Sequence, residues 1–317
     1  MWLWLLALLG LWLLWRWHRE RQTVPGLEEK FVLITGCDSG FGNLLARQLD
    51  ARGLQVLAGC LTESGAARLR AAASSRLQTV LLDVTSSSSI AAAAAWVQER
   101  VGQKGLWGLV NNAGTANPTA PNEWLRKEDF MAVLNVNLVG LIEVTVSMLP
   151  LLRRARGRVV NVSSMVGRLS GFGGGYCPSK FGVEAFSDSL RLEMHHFGVK
   201  VSVIEPGFFK TGITHSASVE KNFLKFWERL PDETKASYGD KYWQDYLASM
   251  QVANRSCNPN LSLVTNCMEH ALTSRYPRCR YAVGWDARLF FIPLSYMPSA
   301  IFDAFFTQFY PKPAQRG

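Results

Sequence analysis

Short apolar runs recur along this 317-residue chain, and each closes on a polar or glycine-containing turn before a helical pattern begins. Phe31-Val32-Leu33-Ile34 reads as a buried parallel strand. It feeds Thr35-Gly36-Cys37-Asp38-Ser39-Gly40-Phe41-Gly42, after which Leu44, Leu45, Gln48 and Leu49 carry helical periodicity. Residues 55–58, 80–82, 106–110, 158–162 and 200–204 read as further strands. Residues 63–73, 90–101, 129–152 and the run from Tyr176 to Met194 read as helices, the alanine-rich one by simple propensity. Repeated βα units with right-handed crossovers predict an α/β fold: a single domain on one doubly wound, Rossmann-like parallel sheet of these six strands. Ligands of such a sheet bind at the carboxyl ends of its strands. The polar motifs fall there: the glycine turn, Asp83, Asn111-Asn112-Ala113-Gly114, Ser163-Ser164 and Glu205-Pro206-Gly207.

Both ends depart from this pattern. Residues 1–15, MWLWLLALLGLWLLW, are an unbroken apolar run followed by Arg16, His18, Arg19 and Arg21. The run lacks the basic start and small-residue cleavage site of a removed signal. Fifteen residues are short for a span, but Trp17 and snorkelling arginines extend it, so 1–22 reads as an uncleaved membrane anchor with a basic flank. Charges placed after the run favour a cytosolic body, while sequons at Asn254 and Asn260 permit a lumenal one. Asn161-Val162-Ser163 also matches a sequon but falls in a strand expected to be buried.

Residues 208–250 mix Phe223, Leu224, Phe226, Trp227, Tyr238, Tyr242, Trp243 and Tyr246 with charges, which suits amphipathic helices. They are either the packed core of an insertion or an apolar lid over a lipophilic substrate. Within the tail, 286–317, the apolar stretch 289–306 is broken by Pro293 and Pro298. That suits a membrane-surface contact or a docked tail better than a span.

Lys and Arg exceed Asp and Glu by nine, partly in the N-terminal flank and partly in Arg153, Arg154, Arg156 and Arg158, which read as a solvated helix end. Neither cluster belongs to a nucleic-acid motif, so no nucleic-acid partner is expected. Cysteines at 37, 60, 177, 257, 267 and 279 show no C-x-x-C and no zinc spacing, so neither a disulfide framework nor a metal is expected.

Tyr176 and Lys180 stand one helical turn apart, so both project from one face, roughly 6 Å apart. A phenol ordinarily ionises near pH ~10. A neighbouring ammonium favours the phenolate, which makes Tyr176 a candidate general base. Cys177 faces another way on the helix, and His195-His196 read as helix C-terminal residues.

Over roughly residues 28–285 the chain resembles the short-chain dehydrogenase/reductase family. The matches are Thr-Gly-x-x-x-Gly-x-Gly at 35–42, Asn-Asn-Ala-Gly at 111–114, Ser164 twelve before Tyr176, Tyr-x-x-x-Lys at 176–180 and Pro-Gly at 206–207. The segments ITGCDSGFG, GLWGLVNNAG, GGGYCPSKFGVEAFSDSLR and EPGFFKT, with the apolar N-terminus and the GWDA…IPLSYMP tail, are similar to the membrane-bound retinol and 3α/17β-hydroxysteroid dehydrogenases. The resemblance implies that Tyr176 takes the alcohol proton as hydride leaves for a nicotinamide. It implies that Ser164 hydrogen-bonds the substrate oxygen, that Lys180 lowers the Tyr176 pKa and holds the ribose, and that Asn137 holds a proton-relay water. Implied cofactor contacts are Gly36, Ser39, Gly40, Gly42, Asp83, Asn112, Ala113, Gly114, Pro206, Gly207 and Thr211, together with Tyr176 and Lys180. It further implies a lipophilic retinoid or steroid substrate, an endoplasmic reticulum (microsomal) membrane, and an assembly compatible with a homodimer.

A 2′-phosphate needs Arg or Lys at the glycine turn or just after strand two. Those places hold Cys37, Asp38, Ser39 and Gly59, Cys60, Leu61, Thr62, so NAD is expected, with Asp38 the candidate ribose contact. An NADP-linked carbonyl reductase and a non-catalytic lipid-binding membrane protein are the competing readings.

Overall fold

A computed structural model describes residues 2–211, 223–308 and 310–315. Seven strands form one sheet in the order β3-β2-β1-β4-β5-β6-β7, every neighbouring pair parallel. They are β1 (Phe31–Thr35), β2 (Gln55–Cys60), β3 (Gln78–Leu81), β4 (Gly108–Asn111), β5 (Arg158–Val162), β6 (Lys200–Pro206) and β7 (Arg280–Val283). The expected six strands therefore gain a seventh. β7 is four residues long and opens on Arg280, with half-buried Arg280 and Ala282 alternating with buried Tyr281 and Val283.

Side chains of the central strands alternate between two layers, as the period of two requires. Val32 and Ile34 face α2 (Gly40–Ala51), α3 (Glu63–Ala71) and α10 (Ser262–Thr273), while Leu33 faces α4 (Ser87–Val101) and α6 (Leu141–Ala155). The expected single helix over 129–152 is α5 (Lys127–Leu134), a π-helical turn at Asn135–Gly140, and α6. This rod is long and apolar enough to cross a bilayer, but Val144, Met148, Leu151 and Leu152 are spent on the sheet, so it is a core helix. The Tyr176 helix, α7 (Tyr176–Glu193), covers the same layer.

The first helix, α1 (Trp2–Glu20), is different. Trp4, Leu8, Leu9, Trp12, Leu13, Leu14 and Trp17 are all more than 45% exposed, on every side of the helix. At about 1.5 Å per residue it is about 28 Å long. Its C-terminal end is fastened: Glu20 pairs with Arg278, and the Glu20 carbonyl accepts from His270 Nε2 at 2.8 Å.

Arg158 corrects the reading of 153–158 as a wholly solvated helix end. It is 2% exposed at the start of β5, donates to the Ala271 carbonyl at 2.8 Å and stacks over Trp107. Burial pulls its pKa down to about 10. Asn161 is fully buried in β5 and hydrogen-bonded to Asn111 and Ser187, which removes that sequon from solvent. Asn260 is exposed, whereas the Asn254 side chain lies outside the described residues.

Residues 223–250 fold as a separate aromatic cluster. Trp124, fully buried, is ringed by Phe223, Trp227, Tyr238 and Tyr242 at 5.1–5.8 Å. The last two rings come from α8 (Asp232–Tyr238) and α9 (Asp240–Arg255). The tail continues from β7 through a π-helical turn at Ala287–Phe291 to α11 (Ser299–Phe306).

Candidate active site

The carboxyl ends of β1, β4, β5 and β6 open into one cavity of about 1000 Å³. Its cofactor end begins at the glycine turn. Gly36 has a φ of 70°, and a Cβ there would sit 2.8 Å from the Ala113 Cα, so only glycine lets this turn meet the 112–114 segment. That segment is tied in place by Thr35, whose hydroxyl accepts from the backbone N–H of Asn112 and Ala113, each at 3.0 Å. Asn112 spends its side-chain amide on the Thr35 and Gly36 carbonyls, and its share of the cavity wall is structural in origin.

The N-terminus of α2 meets the cavity at Ser39, Gly40 and Phe41, and no side chain caps it. Uncapped N–H groups at the positive end of a helix suit a pyrophosphate, so the turn fits a dinucleotide. Gly42 lies behind this surface: a Cβ there would be 2.4 Å from the Gly36 carbonyl oxygen, so its role is close packing of α2 on the turn.

Asp38 reaches out of the turn toward the end of β2. Its carboxylate accepts from the Leu61 N–H at 2.7 Å, the Thr62 N–H at 3.0 Å and the Thr62 hydroxyl at 2.6 Å. Burial works against its charge, but these donors prevail and hold its carboxyl below the ordinary range. The fold thus supplies a carboxylate just beyond β2, where the sequence has none of its own. Asp83, after β3, lines the same end and accepts from the Thr85 hydroxyl at 2.7 Å. Among the described residues that line the cavity, Lys180 is the one cation.

At the centre, Ser164, Tyr176 and Lys180 all line the cavity. Ser164 follows β5, with its hydroxyl 3.4 Å from the Pro206 carbonyl. The Lys180 ammonium lies 5.5 Å from the Tyr176 ring centre and donates to the Val162 carbonyl at 2.8 Å, so the shared helical face is as expected. The charge states are not. Burial pushes the Tyr176 phenol up to about 12, against a hydrogen bond with Ser164 that pulls it down. Burial also pulls Lys180 down to about 8, which the Glu184 charge opposes. The expectation that the neighbouring ammonium lowers the phenol's pKa is corrected: burial outweighs the Ser164 hydrogen bond at Tyr176 and the Glu184 charge at Lys180.

Asn137 sits in the π-helical turn, a distortion that recurs at functional sites. It is 1% exposed and lies behind the wall. Its side-chain oxygen accepts from the Thr115 N–H at 2.8 Å, and its amide donates to the Thr115 carbonyl and the Ser179 hydroxyl. The side chain is therefore committed to bracing the 114–115 segment against α7.

Pro206, Gly207 and Thr211 complete the wall after β6. Asp286 governs this loop: it accepts from the Phe208 N–H at 2.7 Å, and a Cβ on Gly207 would strike its carboxylate at 2.2 Å. The far end of the cavity is apolar, lined by Phe172, Tyr246, Leu247, Met250 and, from the tail, Phe291, Phe302, Phe306 and Tyr310. The tail contribution was not legible in the chain, because contact between 302–310 and the Tyr176 loop depends on how α11 folds back.

Residues 30–222 match the family model described as short chain dehydrogenase. Human retinol dehydrogenase 16 is 60% identical over 315 residues, covering 99% of each chain. Human 17-beta-hydroxysteroid dehydrogenase type 6 is 59% identical over the same length and coverage. Among solved structures, a short-chain dehydrogenase from Streptomyces avermitilis superposes with a TM-score of 0.68 at 25% identity, over 88% of this chain and 96% of that one. A Burkholderia phymatum short-chain dehydrogenase/reductase in complex with NAD shares the fold, with a TM-score of 0.68 at 22% identity over 91% and 98% of the two chains. A phosphate-binding turn, a Ser-Tyr-Lys set at the strand ends and this likeness over nearly the full length lead to one conclusion: the chain is an enzyme of the short-chain dehydrogenase family.

Proposed function

We propose that this enzyme oxidises lipophilic alcohols, retinol and 3α- or 17β-hydroxysteroids, with NAD, while held at an endoplasmic reticulum membrane by residues 1–22. One observation carries the reading: Ser164, Tyr176 and Lys180 stand together where a dinucleotide-binding end meets an apolar, aromatic end of the same cavity. The names of the relatives supply the substrate classes.

The cofactor, when bound, supplies the hydride acceptor. The Gly36–Gly40 turn, Asp83, Ala113, Gly114, Pro206, Gly207 and Thr211 would hold it. Ser164 orients the alcohol oxygen and stabilises charge as it develops there. Tyr176 takes the alcohol proton, with Lys180 as the neighbouring positive charge that favours the phenolate. Asn137 keeps the wall behind them rigid. The Asp38 carboxylate repels a 2′-phosphate, and among the described lining residues no cation besides Lys180 would hold one, which favours NAD over NADP. The exposed apolar surface of α1, with Arg19 over Trp15 and Arg21 over Trp17, supports the anchor. Residues 208–250 act as the substrate lid, and 28–285 as the catalytic body.

The test is turnover of retinol and androsterone side by side, with NAD⁺ and NADP⁺, in membranes holding wild type or Tyr176→Phe. Wild type should turn over with NAD⁺ preferred. Tyr176→Phe should lose at least about 100-fold in kcat while still binding NADH. Retained activity in the variant, or a strong NADP⁺ preference, overturns the respective part of the reading.

A further inference from the structure

Below Lys180, α7 carries a second row of charge that the sequence motifs do not include. Tyr176, Lys180, Glu184 and Asp188 follow one another at intervals of four, so one helix face runs from the site into the core. Glu184 is 6% exposed. One of its oxygens meets Arg280 Nε at 3.1 Å. The other has only Ser163 beside it, whose single hydroxyl proton also serves the Lys180 carbonyl at 3.2 Å. Gly167 makes room for this arrangement, since a Cβ there would lie 2.6 Å from the Ser163 hydroxyl and 3.2 Å from Glu184 Cγ.

The other groups facing this row are few. Arg280 of β7 also donates to Asp188 at 2.7 Å and lies 3.8 Å from Glu205 of β6. Arg168, just after the Ser164 loop, reaches Glu205 at 3.2 Å and the Tyr296 hydroxyl of the tail at 2.6 Å. Asp188 is shared with Arg191 at 3.3 Å. The cluster thus holds Arg168 and Arg280 against the buried Glu184 and Glu205, with Asp188 at its exposed edge beside Arg191. Glu184 has the closer contact to Arg280, 3.1 Å against 3.8 Å, and Glu205 is the more deeply buried carboxylate. Burial raises both buried carboxyls, Glu205 to about 7 and Glu184 above its ordinary value, and the closer Arg280 contact favours the charged form of Glu184.

We infer that Glu184 is a positioning residue for the catalytic lysine: its buried carboxylate, one turn below, keeps Lys180 an ammonium in a site whose burial would otherwise discharge it. Arg280 holds that carboxylate in place. Lys180 already feels both influences, burial lowering its pKa and Glu184 raising it. The inference rests on the proposed role of Lys180 in alcohol oxidation.

The experiment is the pH profile of kcat for Glu184→Gln and Glu184→Asp in the full-length, membrane-held enzyme, beside thermal stability. The high-pH loss of kcat should move down by about one pH unit in Glu184→Gln, the scale of one charge at this range in a partly screened interior. It should stay near wild type in Glu184→Asp, even if both variants melt at the same lower temperature. An unmoved limb in Glu184→Gln, or equal movement in both variants, overturns the inference. If Glu184→Gln fails to fold, the pH dependence of amine labelling at Lys180 in the unsubstituted enzyme decides. A midpoint near 8 or above shows Lys180 kept as an ammonium at neutral pH, as the inference requires, and one below about 7 overturns it. A wild-type enzyme inactive on every alcohol would instead refute the proposed function and leave the labelling result intact.

Discussion

Glu205→Gln should change how stability depends on pH, in a direction opposite to the usual one for a carboxylate. Glu205 is buried on β6 with side-chain exposure of 3%, and its carboxyl is raised from 4.5 to about 7, first by burial and then by the Glu184 charge. A raised folded-state value means that the folded protein binds the proton more tightly than the unfolded chain. The contribution is therefore fully present below pH 4.5 and lost as pH rises through 7. At about 1.4 kcal/mol per pH unit, the interval corresponds to about 3 kcal/mol. Glutamine removes the titration but keeps an acceptor for Arg168, while Arg280 retains Glu184 and Asp188. Urea titrations in detergent between pH 4.5 and 8 should show the variant near wild type at the acid end. It should become the more stable protein by up to about 3 kcal/mol at the alkaline end. Asp38 and Asp188 have lowered values and lose their contributions at more acid pH, outside this window. A stability difference that does not change with pH, or a variant that is less stable at pH 8, would refute a raised Glu205 carboxyl.

Two further outcomes test the ends of the cavity. Asp38→Asn keeps an acceptor for Leu61 and Thr62 but removes the charge, so the KM for NADP⁺ should fall by about tenfold, the equivalent of about 1.4 kcal/mol. An unchanged NAD⁺/NADP⁺ ratio would show that Asp38 does not read the ribose. Trp124→Ala empties the centre of the aromatic cluster under the 223–250 segment and should cost about 3–5 kcal/mol. The alcohol KM should rise with it while NADH fluorescence titration stays unchanged. Unaltered melting and KM would separate that cluster from substrate binding.

Strands β1, β2, β4, β5 and β6 were legible because their apolar runs are buried on both faces, and the half-buried edge strand β3 was legible from Val80-Leu81-Leu82. β7 was not. Its burial comes from pairing with β6, and Arg280 within it is held by Glu184 and Asp188 from α7, a relation that no local pattern announces. The π-helical turn at Asn137 was equally hidden, since a helix with one looser turn keeps nearly the same apolar periodicity. Glu184 could have been found from helical phase alone, because it shares a face with Tyr176 and Lys180. What phase could not reveal is that this face points into the protein.

By itself, the order of the chain gave the class of fold, the end of the sheet where ligands bind and the shared helical face of Tyr176 and Lys180, while Ser164 entered through the resemblance to the family. Strand runs and helical spacing are local, and local patterns survive without coordinates. Tertiary structure decided the electrical state of those residues. Burial raises Tyr176 and lowers Lys180, Asp38 gains its donors from Leu61 and Thr62 across the turn, and Glu184 meets Arg280 from a strand nearly a hundred residues later. Desolvation and long-range charge depend on what packs around a group, and that is settled only when distant elements meet.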